Sequence, residues 1–267
     1  MPEHCWLAQP LAGCLDRCRE LATTFRPGSG PARSKRNIHG GTEPVTDLDL
    51  HIQELICDAL TALWPGVPVI AEEKRSGLAP LPADCFVLDP IDGTLPLIRG
   101  SPHYAIALCL VTASHPAAAV IDLPAYRIRL SGTPTTLHTS GNLDALPTFT
   151  PDTVLTSPRQ ERLARPALTG LTPPLTARAV PTATVKMVLV ALGRARTALY
   201  LPASGSHAAP WDYAAAALTV AASGGRVVDD GGRDLARTLP TTIRGWQADA
   251  AHHHPAVNLL TRPSRSL

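Results

Sequence analysis

The sequence predicts a mixed fold in two halves, an α+β half built on an antiparallel sheet followed by an α/β half. Three observations carry this. Tyr104–Thr112, Ala118–Leu123 and Tyr126–Ser131 are apolar or alternating runs in direct succession, the pattern of an antiparallel meander. Beyond residue 150, short β-type runs alternate with longer helical ones, which argues for α/β layers. The 267 residues, 45% hydrophobic and 17% charged, are enough to bury cores of that size. The turn-rich stretch Gly132–Pro151 is the expected boundary, dividing the chain into 1–145 and 146–267.

Leu7, Leu11, Cys14, Leu15, Cys18 and Leu21 recur at helical spacing and predict a first amphipathic helix. Pro27–Gly41, rich in Gly, Pro and Arg, reads as a loop carrying Arg33, Lys35, Arg36 and His39. It is either a solvated connector or a lid whose cations meet a phosphate. Thr46 or Asp47 can cap the next helix, whose buried stripe is Ile52, Leu55, Ile56, Leu60 and Leu63; Pro65-Gly66 ends it. Val67–Ala71 and Cys85–Leu88 read as short buried strands, and Leu95–Ser101 as a connector. In the second half, strands are expected at Val154–Thr156, Ala177–Val180, Thr197–Leu201 and Arg226–Val228. Helices are expected at Arg159–Leu168, Thr184–Leu192 and Trp211–Ala222, the last stopped by Gly224-Gly225.

Composition excludes several functions. A net charge of +2 is too small for a nucleic-acid polymer or an anionic membrane surface. No run reaches the ~18 apolar residues of a membrane span. Leu11-Ala12-Gly13-Cys14 looks like a lipoprotein cleavage box but lacks a basic and an apolar lead-in. Cys5, Cys14, Cys18, Cys57, Cys85 and Cys109 include no C-x-x-C pair and fall mostly in apolar periodic runs, as buried thiols of a reducing, cytoplasmic location do. His252-His253-His254 has no partner ligands nearby in sequence and reads as a solvated turn.

The chemistry concentrates in Val87-Leu88-Asp89-Pro90-Ile91-Asp92-Gly93-Thr94. A strand delivers Asp89 to a turn bent by Pro90 and Gly93, and Asp92 follows three residues on. Alone, this is either a strand end with an Asp-Gly turn or a metal-binding pair. Two close carboxylates ionise together only with positive charge between them. A hard cation such as Mg2+ takes carboxylate oxygens, waters and phosphate. Glu72-Glu73 stand at another strand end. Asp49 sits in the first turn of the helix opened by Val45-Thr46-Asp47-Leu48-Asp49, where the helix dipole alone also favours a carboxylate. Trp211-Asp212 opens a helix far downstream. The set has no His or Cys, which disfavours a soft metal.

This set, in this order, resembles the inositol monophosphatase superfamily, whose pattern is V-T-x-x-D, E-E, D-P-[IL]-D-G-T and W-D. The resemblance spans about Leu7 to Leu260. It implies a layered α-β-α-β-α sandwich of the sugar-phosphatase type and Mg2+-dependent hydrolysis of phosphate monoesters, with two or three ions per site. It further implies that Asp89 bridges two ions, that Glu72 and the Ile91 carbonyl complete the first site, and that Asp92 and Asp212 complete the second. Glu72 can also hold a weaker third ion, with Glu73 behind it. Asp49 and Thr94 would pair near the attacking water. Gly93, Thr94, Lys186 and Asp212 would face the substrate. Lithium sensitivity and a homodimer are further family traits.

The chain departs from that pattern in three places. Leu95-Pro96-Leu97 replaces a polar segment after the aspartate motif; Thr182-Ala183-Thr184-Val185-Lys186 replaces a Gly-Ser pair; Pro202–Pro210 carries no carboxylate to hold ring hydroxyls. Lys186 is typical of the nucleotidase branch, or else a solvent-facing helix lysine. Ser204, Ser206 and His207 can line a nucleotide or sugar pocket. The expected substrate is therefore a small phosphorylated metabolite, a 3'(2'),5'-bisphosphate nucleotide or a specialised sugar or nucleoside phosphate. A broad inositol-1-monophosphatase and a non-catalytic binding protein on the same fold are the alternatives.

Overall fold

The computed structural model of the chain describes residues 6–26, 33–36, 41–73, 80–171, 173–201, 207–251 and 260. Its elements, in order, are α1 (Ala12–Thr24), β1 (Arg33–Arg36), β2 (Thr42–Val45), α2 (Asp47–Leu63), β3 (Val69–Ala71), β4 (Cys85–Asp92), α3 (Thr94–Ile98), β5 (Ala105–Thr112), β6 (His115–Leu123), β7 (Ile128–Thr133) and β8 (Thr136–Ser140). There follow β9 (Thr153–Thr156), α4 (Pro158–Thr169), β10 (Thr176–Ala179), α5 (Ala183–Ala191), β11 (Thr197–Tyr200), α6 (Pro210–Ala222), β12 (Arg226–Asp229) and β13 (Trp246–Asp249).

β3 to β8 form one sheet in sequential order, antiparallel except for the parallel β3–β4 pair. The second sheet runs β10-β9-β11-β13-β12, with its first three strands parallel and β13 antiparallel to both neighbours. Alternation along β4 shows how the layers stack. Phe86 and Leu88 join Leu15, Ile52 and Ile56 of α1 and α2 in one core. Cys85 and Val87 face the opposite way, into a core with Met187 of α5 and Tyr213 of α6. That second core continues through the two helices to Ala198 and Ala248 of the five-stranded sheet. A third, with Val154, Ala164 and Leu199, seats α4 on the far face. The result is the α-β-α-β-α sandwich. Strands buried on both faces read as continuous apolar runs, which is why β4 and β5 stand out in the sequence. Among the described residues, no helix is long and apolar enough to cross a membrane.

Several elements differ from expectation. Arg33–Arg36, expected as loop, pairs antiparallel with Thr42–Val45; residues 27–32 and 37–40 lie outside the described residues. β4 runs through Asp89 to Asp92 instead of turning at Leu88, with a register shift between Asp89 and Asp92. Two residues there, Pro90 and Ile91, oppose one on β5, Ile106, a bulge that accommodates Pro90, which has no N–H for the ladder. Leu95–Ser101 is not a plain connector, since Thr94–Ile98 is helical. Part of the expected boundary, Thr136–Ser140, is an edge strand, and Trp246–Asp249 adds a strand that no periodicity announced.

Candidate functional site

Two helix starts and two strand ends bring the acidic residues together. Thr46 is the N-cap of α2, and its backbone N–H donates to Asp49 Oδ2 at 2.9 Å in a capping box. The Thr46 hydroxyl also donates to that oxygen. The other oxygen, Asp49 Oδ1, accepts from Thr94 Oγ1 at 2.6 Å. Asp49 is fully buried, so this pair is fixed. Gly93 makes the turn that aims Thr94. Its φ of +103° is open to glycine, and a Cβ there would strike Thr182 and lie 2.9 Å from His103 O. Gly93→Ala is therefore expected to cost about 2–3 kcal/mol, a fall of roughly 5–10 °C in a thermal melt.

Asp89 is buried, and its Oδ1 has no hydrogen-bond partner. Asp92 Oδ2 accepts from the Thr184 N–H in the first turn of α5 at 2.7 Å. Asp212, in the first turn of α6, accepts from the Ala209 N–H at 2.6 Å. Asp92 and Asp212 thus each sit at the positive end of a helix, α5 and α6. Glu72 follows β3 and is held by its N–H to Leu88 O at 3.1 Å. Lys35 of β1 reaches both Glu72 Oε1 (2.6 Å) and Glu73 Oε1 (2.8 Å).

A cavity of about 280 Å³ opens over these groups, lined among others by Glu72, Asp92, Asp212, Lys35, Lys186 and Trp211. Asp89, Asp49, Gly93 and Thr94 are not among the residues that line it. Lys186 is fully buried instead of facing solvent, with Nζ 5.2 Å from the centroid of Trp246. Trp246 in turn stacks on Tyr200, and both line the cavity. His207 lines it too; Ser204, Ser206 and His252–His254 lie outside the described residues. Trp246 and Tyr200 were not legible as site residues, because their only sequence signal is membership of two short strands.

The electrostatics reflect an excess of buried negative charge. Burial, followed by Glu72, Asp92 and Asp212, holds the Asp89 carboxyl well above the usual range. Burial and Glu72 do the same for Asp212. Burial raises Asp92 against the opposing Thr184 N–H. Burial pushes Glu72 up to about 7, although Lys35 pulls the other way. Burial brings Lys186 down to about 8, with Asp92 opposing. The sign for stability follows. Between Glu72's ordinary 4.5 and about 7 the unfolded chain releases a proton that the folded chain keeps, so this contribution to stability falls as pH rises through that window. In EDTA, the melting temperature is expected to fall by roughly 5 °C from pH 5 to 7.5, and Glu72→Gln should reduce that slope, leaving the part contributed by the raised carboxyls of Asp89, Asp92 and Asp212. Mg2+ should oppose it, since a cation competes with protons for the same oxygens.

Among the described residues no three His, Cys, Asp or Glu side chains converge into a ready-made ion cage. Glu72 is engaged by Lys35, while Asp92 and Asp212 are engaged by backbone amides. The donor set nevertheless fits a hard divalent cation. It is all oxygen, and the buried Asp89 Oδ1 has unused acceptor capacity at its centre.

Fold and pocket together define a layered α-β-α-β-α sandwich with an acidic cavity rimmed by two lysines. The particular family follows from sequence: the chain belongs to the inositol monophosphatase family, whose model matches residues 25–262. It is 30% identical over 219 residues to the inositol-1-monophosphatase SuhB of Mycobacterium tuberculosis, covering 75% of this chain and 72% of that one. It is 32% identical over 88 residues to the 3'(2'),5'-bisphosphate nucleotidase CysQ of Haemophilus influenzae, covering 30% of this chain and 31% of that one. A solved IMPase/NADP phosphatase complexed with Mg2+ and phosphate shares the fold with a TM-score of 0.71, at 17% identity over 92% of each chain. Family members hydrolyse phosphate monoesters and depend on Mg2+, and this chain is a phosphoric monoester hydrolase of that family.

Proposed function

We propose that this chain hydrolyses a 3'(2'),5'-bisphosphate nucleotide, or a specialised sugar or nucleoside phosphate, with Mg2+. The observation that carries the substrate reading is Lys186. A buried ammonium on the cavity wall, beside Trp246 and Tyr200, suits a substrate with a second anionic group and a planar part. The absence of any carboxylate in 202–210 argues against a polyol held by its hydroxyls. An unpaired hydroxyl there would cost about 1–3 kcal/mol.

Glu72, Asp89 and the Ile91 carbonyl would hold one Mg2+; Asp89, Asp92 and Asp212 would hold a second. Bound there, Mg2+ neutralises phosphoryl oxygens and makes water more acidic. The residues of the chain do the rest. The Thr94 hydroxyl donates to Asp49, so its lone pairs are turned to accept a hydrogen bond from the attacking water. The water proton passes through Thr94 to Asp49 as the water oxygen bonds to phosphorus. The ester P–O bond breaks, and the departing oxygen is protonated from solvent, leaving an alcohol and inorganic phosphate. The Gly93 and Thr94 amides, at the start of α3, would meet the phosphoryl oxygens of a substrate bound deep enough to reach them, below the residues that line the cavity. Asp212 contacts the substrate as well as the ion.

The test is phosphate release across adenosine 3',5'-bisphosphate, myo-inositol 1-phosphate, fructose 1,6-bisphosphate and several sugar and nucleoside monophosphates. Adenosine 3',5'-bisphosphate is expected to lead, and Lys186→Met to raise its KM about 10–30-fold, the loss of one charge-assisted contact. Preference for myo-inositol 1-phosphate would instead favour the second reading, supported by the longer match to an inositol-1-monophosphatase. Silence on every substrate would overturn the substrate reading and point to a phosphate ester outside the panel or to a chain that has lost turnover.

A further inference from the structure

We infer that Lys35 is a built-in counter-ion that takes the place of the weakest metal ion, so that this chain loads two divalent ions and excludes a third. The inference rests on the metal reading above. Lys35 is carried by β1 and lies directly across the ladder from Glu43 of β2. Its ammonium is 2.6 Å from Glu72 Oε1, 2.8 Å from Glu73 Oε1 and 3.7 Å from Glu43 Oε1, with only 19% of the side chain exposed. An ammonium has three N–H donors, and three carboxylates surround this one.

Its position matters more than its charge. Glu72 is the residue to which a third ion is assigned, and Glu73 adjoins it. Lys35 already holds one oxygen of each. A cation bound to the same oxygens would stand in contact with the ammonium, so the two exclude each other. The ion proposed at Glu72 and Asp89 would take Glu72 through Oε2, the oxygen that the Lys35 contact does not use, and so would not compete in this way. The cradle remains attractive to a cation all the same. Three carboxylates face one ammonium, and Glu73 Oε2 is buried with no hydrogen-bond partner, its side chain 1% exposed. Removing Lys35 therefore exposes a site already formed, and does not merely loosen the hairpin.

The test counts ions, not turnover. The full chain is titrated with Mn2+ at pH 7.5, with free Mn2+ read by electron paramagnetic resonance. Two ions are expected for wild type and for Lys35→Arg, which keeps the charge. Lys35→Gln is expected to bind a third at least tenfold more tightly than any third ion on wild type. An unchanged count in folded Lys35→Gln overturns the inference. So does a third ion on wild type bound as tightly as the first two, a result that does not depend on the variant folding. If wild type binds no Mn2+, the metal reading falls together with the inference; if wild type binds two and Lys35→Gln also binds two, the inference alone falls.

Discussion

Asp89→Asn is expected to lower Mg2+-dependent phosphate release at least about 10³-fold, or about 4 kcal/mol of transition-state stabilisation, and to raise the stability of the metal-free protein. The two effects have one cause. Asp89 is buried among Glu72, Asp92 and Asp212, with one oxygen unpartnered. Without a cation, a carboxylate there opposes folding, by desolvation and by like-charge repulsion. Asparagine has nearly the same shape, carries no charge, and adds an NH2 that can donate to Glu72. The melting temperature in EDTA should rise by a few degrees, at roughly 2–4 °C per kcal/mol. The Mg2+-induced rise in melting temperature seen for wild type should vanish. Differential scanning fluorimetry with and without Mg2+ reads both, and circular dichroism checks the fold. An Asp89→Asn protein that keeps near-wild-type turnover would remove Asp89 from the metal set. One that melts lower in EDTA would show that the charge is compensated by something other than a metal.

That opposition between stability and activity explains what could be read in advance. Asp49, Glu72, Asp89, Asp92 and Asp212 are legible because carboxylates after apolar strands or at helix starts break the local pattern for a reason outside it. The strands that deliver them are legible because they are buried on both faces. Lys35 is not legible: Arg33-Ser34-Lys35-Arg36 has no apolar residue, so nothing local marks it as a strand, and its partners lie 37 and 38 residues away. The edge strand Thr136–Ser140 is hidden by the same polarity. Lys186 was open between solvent and site when taken alone. Its surroundings, Ala183–Ala191, are apolar on every side of the helix, a pattern that means full burial and forces the ammonium inward. The Thr184 N–H that orients Asp92 has no sequence signal, since any residue but proline supplies it.

The proton path is the second place where a small change should have a large effect. Thr94→Val keeps the shape of the side chain and removes the hydroxyl. It is expected to lower kcat about 10²–10³-fold while KM stays within about threefold, because the lost group acts on the attacking water and not on bound substrate. Thr94→Ser, which restores the oxygen, should recover most of the rate. Asp49→Asn should cost as much as Thr94→Val. Its Oδ2 position still faces the Thr46 N–H, so part of the cap on α2 survives and the helix start remains folded. The decisive measurement is the double variant. Asp49 and Thr94 share one hydrogen bond of 2.6 Å and, on this reading, one proton. Removing both should therefore be no worse than removing either. Losses that multiply would mean two independent roles, with Asp49 serving the α2 start through Thr46 and Thr94 serving the phosphoryl group or the water directly through its hydroxyl. Thr94→Val also leaves Asp49 Oδ1 buried without its donor, a cost of about 1–3 kcal/mol. A fall in melting temperature is thus expected whichever outcome holds, and only the rates distinguish the two.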